Sequence, residues 1–210
     1  MIEFFTSALI TFLVIIDPPG CAPIFASLTR GTTAAHRRSM AIRSSLIAFA
    51  ILVFFALLGR PLLHSMGISL AAFRIAGGIM LFMIALDMVF ERRTQRREER
   101  ALAIEGTPEA EDISVFPMAI PMIAGPGSIA SAMLWVSRAD GYLEVAMVLA
   151  AIAVVIALTM VALLAAGRIM KLIGEKVEAM ITRILGVILA ALAAQFIVDG
   201  LKQSFPSVLA

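Results

Sequence analysis

Two stretches of this chain combine residues that break helices with residues that can bind. One is Asp17-Pro18-Pro19-Gly20-Cys21-Ala22-Pro23. The other is Pro117-Met118-Ala119-Ile120-Pro121-Met122-Ile123-Ala124-Gly125-Pro126-Gly127-Ser128. Together they hold six of the nine prolines, and each sits inside a long apolar run. A proline inside a helix removes a backbone hydrogen bond and clashes with the preceding turn, at a cost of about 3 kcal/mol. Neighbouring glycines let the backbone leave helical geometry. Both stretches are therefore expected to unwind. In hydrocarbon each freed N–H or C=O is costly, so unwinding is tolerated only inside protein or around a wet cavity. Helix starts near Cys21 and Ser128 would present free N–H groups and positive partial charge, a receptor for a carboxylate. The unwound carbonyls suit an ammonium group or a cation. The expected substrate site is thus Asp17, Pro18, Pro19 and Gly20 from one stretch and Gly125, Pro126, Gly127 and Ser128 from the other. Prolines can also kink helices purely for packing, but two clusters in corresponding positions favour a binding site.

Asp17 is the acid placed deepest in an apolar segment, where a carboxylate is expensive and by default functional. It can carry a coupling proton, pair with a substrate ammonium, or cap the following helix. Ser128 is its polar counterpart in the second stretch. Arg74 and Asp199 are expected near one membrane face, and Arg183 and Asp87 near the other. They form either two symmetry-related gating ion pairs or side chains that snorkel to the interface. Trp135 and Tyr142 are expected at the outer interface. Gly77-Gly78, and Gly186, Ala190 and Ala194, are expected to pack helices closely. The thirteen methionines read as lipid-facing or core. His36 and His64 show no ligand spacing, no zinc motif occurs, and Ser128 has no membrane histidine to activate it, so no enzyme, metal or cofactor is expected. The single cysteine, Cys21, permits no intrachain disulfide.

The elements that must carry these residues are membrane helices. The chain is 61% hydrophobic and 15% charged over 210 residues, with a mean hydropathy of +1.00. A soluble domain carries about a quarter charged residues, and a membrane span needs about 20 apolar ones. Six spans are expected over 4–29, 42–60, 69–90, 114–136, 142–165 and 182–201. The first reads as retained, because Glu3 stands where a signal peptide is basic and no cleavage site follows. Thirteen of the 17 Lys and Arg residues fall around 30–43, 92–100 and 168–183. Those loops are therefore expected to be cytoplasmic, with both termini on the outer face. The basic balance reflects this bias and does not point to nucleic acid.

The halves resemble each other. Pro19-Gly20 recurs as Pro126-Gly127, Gly59-Arg60 as Gly167-Arg168, Gly67 as Gly174, and Arg74-Ile75-x-Gly77-x-Ile79 as Arg183-Ile184-x-Gly186-x-Ile188, at offsets of 107 to 109. Three spans per half place the second half upside down. The expected fold is an all-α membrane protein of six helices in two inverted three-helix repeats, with helices 1 and 4 discontinuous at mid-membrane. The repeats would be residues 1–90 and 114–210, joined by a charged cytoplasmic linker over 91–113.

These motifs resemble those of the MarC family, also called the SnatA-like or neutral amino acid transporter family. The resemblance rests on Asp17-Pro18-Pro19-Gly20 with Pro23-Ile24-Phe25, on Gly67-Ile68-Ser69-Leu70 with Phe73-Arg74-Ile75-Ala76-Gly77-Gly78, on Phe116-Pro117 through Gly127, and on Gln195, Phe196, Asp199 and Gly200. It implies a six-span inner-membrane protein that moves glycine, alanine and other small neutral amino acids. It places the substrate at Asp17 to Gly20 and Gly125 to Ser128. With no Walker loop in the sequence, H⁺ or Na⁺ would supply the energy. An uncoupled channel, an exporter of another small solute and a scaffold are the competing readings. The direction of transport and a homo-oligomeric state are left open.

Overall fold

The structure, a computed structural model, describes residues 1–92, 95–96, 99 and 112–205, with side chains for all of these except 168–176 and 178. The described residues are helical and include no strand. In chain order the elements are α1 (Ile2–Ile16), α2 (Pro18–Leu28), α3 (Ala34–Ser65), α4 (Leu70–Val89), a segment of wide turns numbered α5 (Ser114–Ile123), α6 (Pro126–Arg138), α7 (Tyr142–Leu164) and α8 (Ala166–Ser204). Five stretches are long and apolar enough to cross a membrane: Ile2–Leu28, Ala34–Ser65, Leu70–Val89, Tyr142–Leu164 and Ala179–Ser204. Ser114–Ile123 with Pro126–Arg138, bent by 54°, makes a sixth if counted as one span. Most of the linker expected over 91–113 lies outside the described residues.

Helix ends follow local chemistry. Thr33 and Ser69 are extended residues whose hydroxyls accept from His36 N and Ala72 N, capping α3 and α4. Several helices overrun the expected spans. α8 has 39 residues, about 58 Å at 1.5 Å per residue, which exceeds the hydrocarbon thickness. α1 and α2 together pack on α7, α5 and α6 pack on α3, and α4 lies along α8.

The α4–α8 contact is the most intimate in the molecule. From Thr182 onward the buried residues on α8 are Thr182, Gly186, Leu189, Ala193, Phe196 and Gly200, alternating four and three apart. That is a heptad seam. The small residues Gly186, Ala193 and Gly200 meet Ala85, Gly78 and Ala71 of α4, running antiparallel. A Cβ added at Gly78 would lie 2.9 Å from the Ala193 carbonyl oxygen and 3.0 Å from the Ile197 nitrogen. At Gly200 it would lie 3.0 Å from the Ala71 carbonyl oxygen. The four-residue stripe expected through Ala190 and Ala194 is corrected to a seven-residue one, since Ala194 is exposed and Ala193 fully buried. Lipid provides no hydrophobic drive between helices, so close backbone approach at small residues is what joins them.

Where the chain re-enters after the linker, Asp112 accepts from the backbone N–H of Ser114 at 3.0 Å and from its hydroxyl, and pairs with Arg43 at 2.7 Å. The hydroxyl bond, with the backbone bond and the Arg43 charge, outweighs burial and holds the Asp112 carboxyl below its ordinary range. A depressed folded-state pKa stabilises the fold fully above the ordinary carboxylate value and loses that contribution as pH falls through the lower folded value.

Two outcomes follow. Gly78→Ala forces α4 from α8 because two of the three nearest obstacles are backbone atoms of α8, lowering stability by about 1–3 kcal/mol. Gly167→Ala, with nothing within 4 Å of the added Cβ, is neutral or gains up to about 1 kcal/mol. Thermal unfolding in detergent compares them, and equal midpoints would remove the seam from the account. For Asp112→Asn, the gap in melting midpoint from the parent narrows as pH falls below about 4. A gap that widens there contradicts the assigned sign.

Candidate functional site

The two proline motifs interrupt their helices differently, and the spacing of the prolines explains why. In the first motif Pro18 and Pro19 occupy the opening turn of α2, where a missing N–H costs nothing. The break is confined to Asp17, in the left-handed region at φ 58°, ψ 67°. In the second motif Pro117, Pro121 and Pro126 recur every four or five residues, so each turn is disrupted. The residue before a proline is pushed out of the α region. Phe116 (φ −123°, ψ 128°), Ile120 (φ −128°, ψ 126°) and Gly125 (φ −81°, ψ 173°) are all extended. The peptide bonds preceding Pro117 and Pro121 are cis. Irregular backbone therefore runs from Ser114 to Gly125, beginning and ending three residues earlier than the expected stretch Pro117–Ser128.

Each break frees a carbonyl, and each is satisfied from the following helix. The Cys21 thiol donates to the Ile16 carbonyl at 3.4 Å, and the Ser128 hydroxyl donates to the Ile123 carbonyl at 2.8 Å. Both bonds span five residues, and the two pairs are 107 positions apart. The N–H groups are treated differently. The Asp17 carboxylate, 2% exposed, accepts from Gly20 N at 3.2 Å and caps α2. α6 begins at Gly125 with no side-chain cap.

The uncapped end opens on a cavity of about 350 Å³ lined by Pro121, Met122, Gly125, Pro126, Gly127 and Ser128, by Met80, Met83, Ile84 and Asp87 of α4, and by Ile15 and Arg96. All four residues expected from the second motif are in this lining. Asp17, Pro18, Pro19 and Gly20 are not; the first broken helix reaches it through Ile15 of α1, which packs near Gly127. Met80, Met83, Ile84 and Asp87 form one helical face, a spacing visible in the sequence but read as lipid-facing or core. Flexible thioethers suit an adaptable wall.

The charged residues pair otherwise than expected. Asp199 is bound by Arg138 and by Gln195 at 2.7 Å, not by Arg74. Arg74 donates to the Ser137 carbonyl at 3.1 Å and to Gln203 at 3.0 Å. Asp87 pairs with Arg96, and Arg183 with Glu91 at 2.6 Å. Snorkelling ends found nearer partners on adjoining turns and loops. Trp135 is 4% exposed, between Phe4 and Phe196, rather than at an interface, whereas Tyr142 is 96% exposed. Arg138 lies outside the three basic clusters that set the expected orientation. Its signal lay in Trp135-x-x-Arg138 and Phe196-x-x-Asp199, two aromatic–charge pairs on single helical faces.

Residues 2–205 match the family model described as MarC family integral membrane protein. A membrane protein of Methanocaldococcus jannaschii is 37% identical over 201 residues, covering 96% of this chain and 97% of that protein. The membrane protein YvbG of Bacillus subtilis is 35% identical, covering 98% of each chain. The inner membrane protein YhgN of Escherichia coli is 32% identical, covering 94% of this chain and 95% of its own. No solved structure matches the chain.

The cap assigns distinct costs at position 17. Asp17→Ala loses a cap and leaves alanine in a left-handed conformation, costing about 1–2 kcal/mol. Asp17→Asn keeps both the acceptor and a tolerated backbone, costing less than half of that. Melting of the two variants in one detergent measures the difference; equal losses would mean that the charge, and not the cap, holds the turn.

Proposed function

The chain belongs to the MarC family of integral membrane proteins, and on that premise we propose that it is a secondary carrier of small neutral amino acids of the glycine or alanine kind, coupled to H⁺ or Na⁺. One observation carries the reading. α2 starts under a carboxylate supplied by the chain itself, while α6 starts at a cavity with no side-chain cap. A substrate carboxylate on the Gly127 and Ser128 N–H groups would fill at α6 the role that Asp17 fills at α2, where partial positive charge favours it. Asp87 in the same lining and the unwound carbonyls offer acceptors for the ammonium. A cavity near 350 Å³ with a methionine-rich wall suits small side chains.

The packing supports an inverted-repeat architecture with both helix breaks at mid-membrane. Each broken helix rests on the second helix of the other half, and the third helices pair with each other. An exchange of this kind is what a two-fold axis in the membrane plane produces. The matching Cys21 and Ser128 bonds support the same relation. The charge bias supports both termini outside, and the name of the Escherichia coli relative supports the inner membrane.

Purified protein in liposomes is expected to accumulate labelled glycine or alanine against its gradient when an H⁺ or Na⁺ gradient is imposed. Equilibration without accumulation identifies a channel or facilitator instead. If no small neutral amino acid binds or moves, the substrate assignment is wrong. With H⁺ coupling through Asp17, Asp17→Asn abolishes the pH dependence of uptake; an unchanged pH profile leaves Asp17 as a cap alone.

A further inference from the structure

Beyond the cavity, α6 continues for ten residues from Ser128 to Arg138, about 15 Å, along one face. Ser128, Ser131, Trp135 and Arg138 lie at i, i+3, i+7 and i+10, all turned within one stripe. Two of them carry an unmet demand. The Ser131 hydroxyl and the Trp135 indole N–H are buried with no hydrogen-bond partner among the described residues. Buried hydroxyls elsewhere in the molecule bond back to the carbonyl four residues earlier, as Thr11, Ser44, Ser45 and Thr159 do. Ser131, fully buried, does not take this default. An orphaned donor in a packed interior is destabilising, and alanine and phenylalanine would fill the same space without it. Thr182, the third such buried group, sits on α8 and outside this stripe.

The stripe ends in a compact closure. Arg138 pairs with Asp199, and its guanidinium lies 4.1 Å from the Phe196 ring centroid and 5.6 Å from that of Trp135. Trp135 meets Phe4 and Phe196 edge to face at 5.2 and 6.2 Å. Gln195 adds a second bond to Asp199. These contacts join α1, α6 and α8 at the end of α6 far from the cavity. A cation held by one carboxylate and two ring faces is well fixed, and it can be released by separating α8 from α6.

We propose that this face of α6 is the outer half of the substrate path, shut in this structure by a plug of Arg138, Asp199, Phe4, Trp135 and Phe196. When the plug opens, Ser131 and Trp135 donate to the carboxylate of the passing substrate. The proposal rests on the carrier reading for the identity of that substrate, whereas the plug itself can be tested with no substrate present.

The test places a single thiol behind the plug. In a Cys21→Ser background, which gives position 21 the residue that position 128 carries, Ser131→Cys is exposed to a charged, membrane-impermeant methanethiosulfonate. The reagent is applied from the face that labels a Tyr142→Cys control. Labelling is expected to be slow with the plug intact and at least tenfold faster with either Asp199→Asn or Arg138→Gln. It is expected to be slow again in the charge swap Arg138→Asp with Asp199→Arg. Fast labelling with the plug intact, or equally slow labelling in both single variants, overturns the plug. Fast labelling that persists in the swap also counts against it, because general loosening rather than a broken pair would then be the cause. Trp135→Phe keeps the ring and removes the N–H, and is expected to cut glycine uptake at least fivefold while leaving thiol protection unchanged. Full uptake in that variant removes the donor role. A protein that passes the thiol test but moves no amino acid would retain the plug and lose the substrate assignment.

Discussion

A peptide N–H or C=O that leaves a helix inside a bilayer has no water to turn to, and each such group must be met by protein or by a ligand. The rest of this structure can be followed from that requirement. The two proline motifs release such groups, and the chain answers for three of them with nearby side chains. The Cys21 thiol and the Ser128 hydroxyl each reach back five residues to the carbonyl that the break exposed. The Asp17 carboxylate takes the N–H of Gly20. The start of α6 has no side-chain cap, and that is where the cavity lies. In the carrier reading, the substrate is the cap that the sequence omits.

The same economy shapes the scaffold. Helices cannot gain by hiding leucine from lipid, so the strongest contact is built where side chains are smallest, along Ala71, Gly78 and Ala85 against Gly200, Ala193 and Gly186. A seam with a seven-residue period keeps α4 and α8 in register over their common length. α4 then serves two purposes at once. One face holds α8, and another, through Met80, Met83, Ile84 and Asp87, walls the cavity.

Much of this was legible in the sequence because it depends on local chemistry. Proline and glycine act on their own backbone whatever surrounds them, so the interruptions at Asp17 and through Gly125 could be read directly. The family resemblance was equally open, since it rests on the same motifs. The second break lies three residues earlier than its motif, from Ser114 to Gly125, and the effect of proline on the preceding residue accounts for the extended Phe116, Ile120 and Gly125. Partner choice was not legible. Asp199 has Arg74 and Arg138 at comparable depth, and only the rotation of α4, α6 and α8 about their axes decides between them. For the same reason the cavity wall on α4 and the burial of Trp135 could not be read. Spacing shows that residues share a face but not what the face meets.

The central claim is that the bare peptide groups at the second break hold the ligand. Backbone hydrogen exchange of the protein in lipid, followed by mass spectrometry with and without saturating glycine, measures those groups directly. The account predicts that glycine slows exchange in peptides covering residues 122–129, with little change along α7 or the outer part of α8. Saturated binding that leaves those amides unaltered, or protects a different region instead, would contradict it.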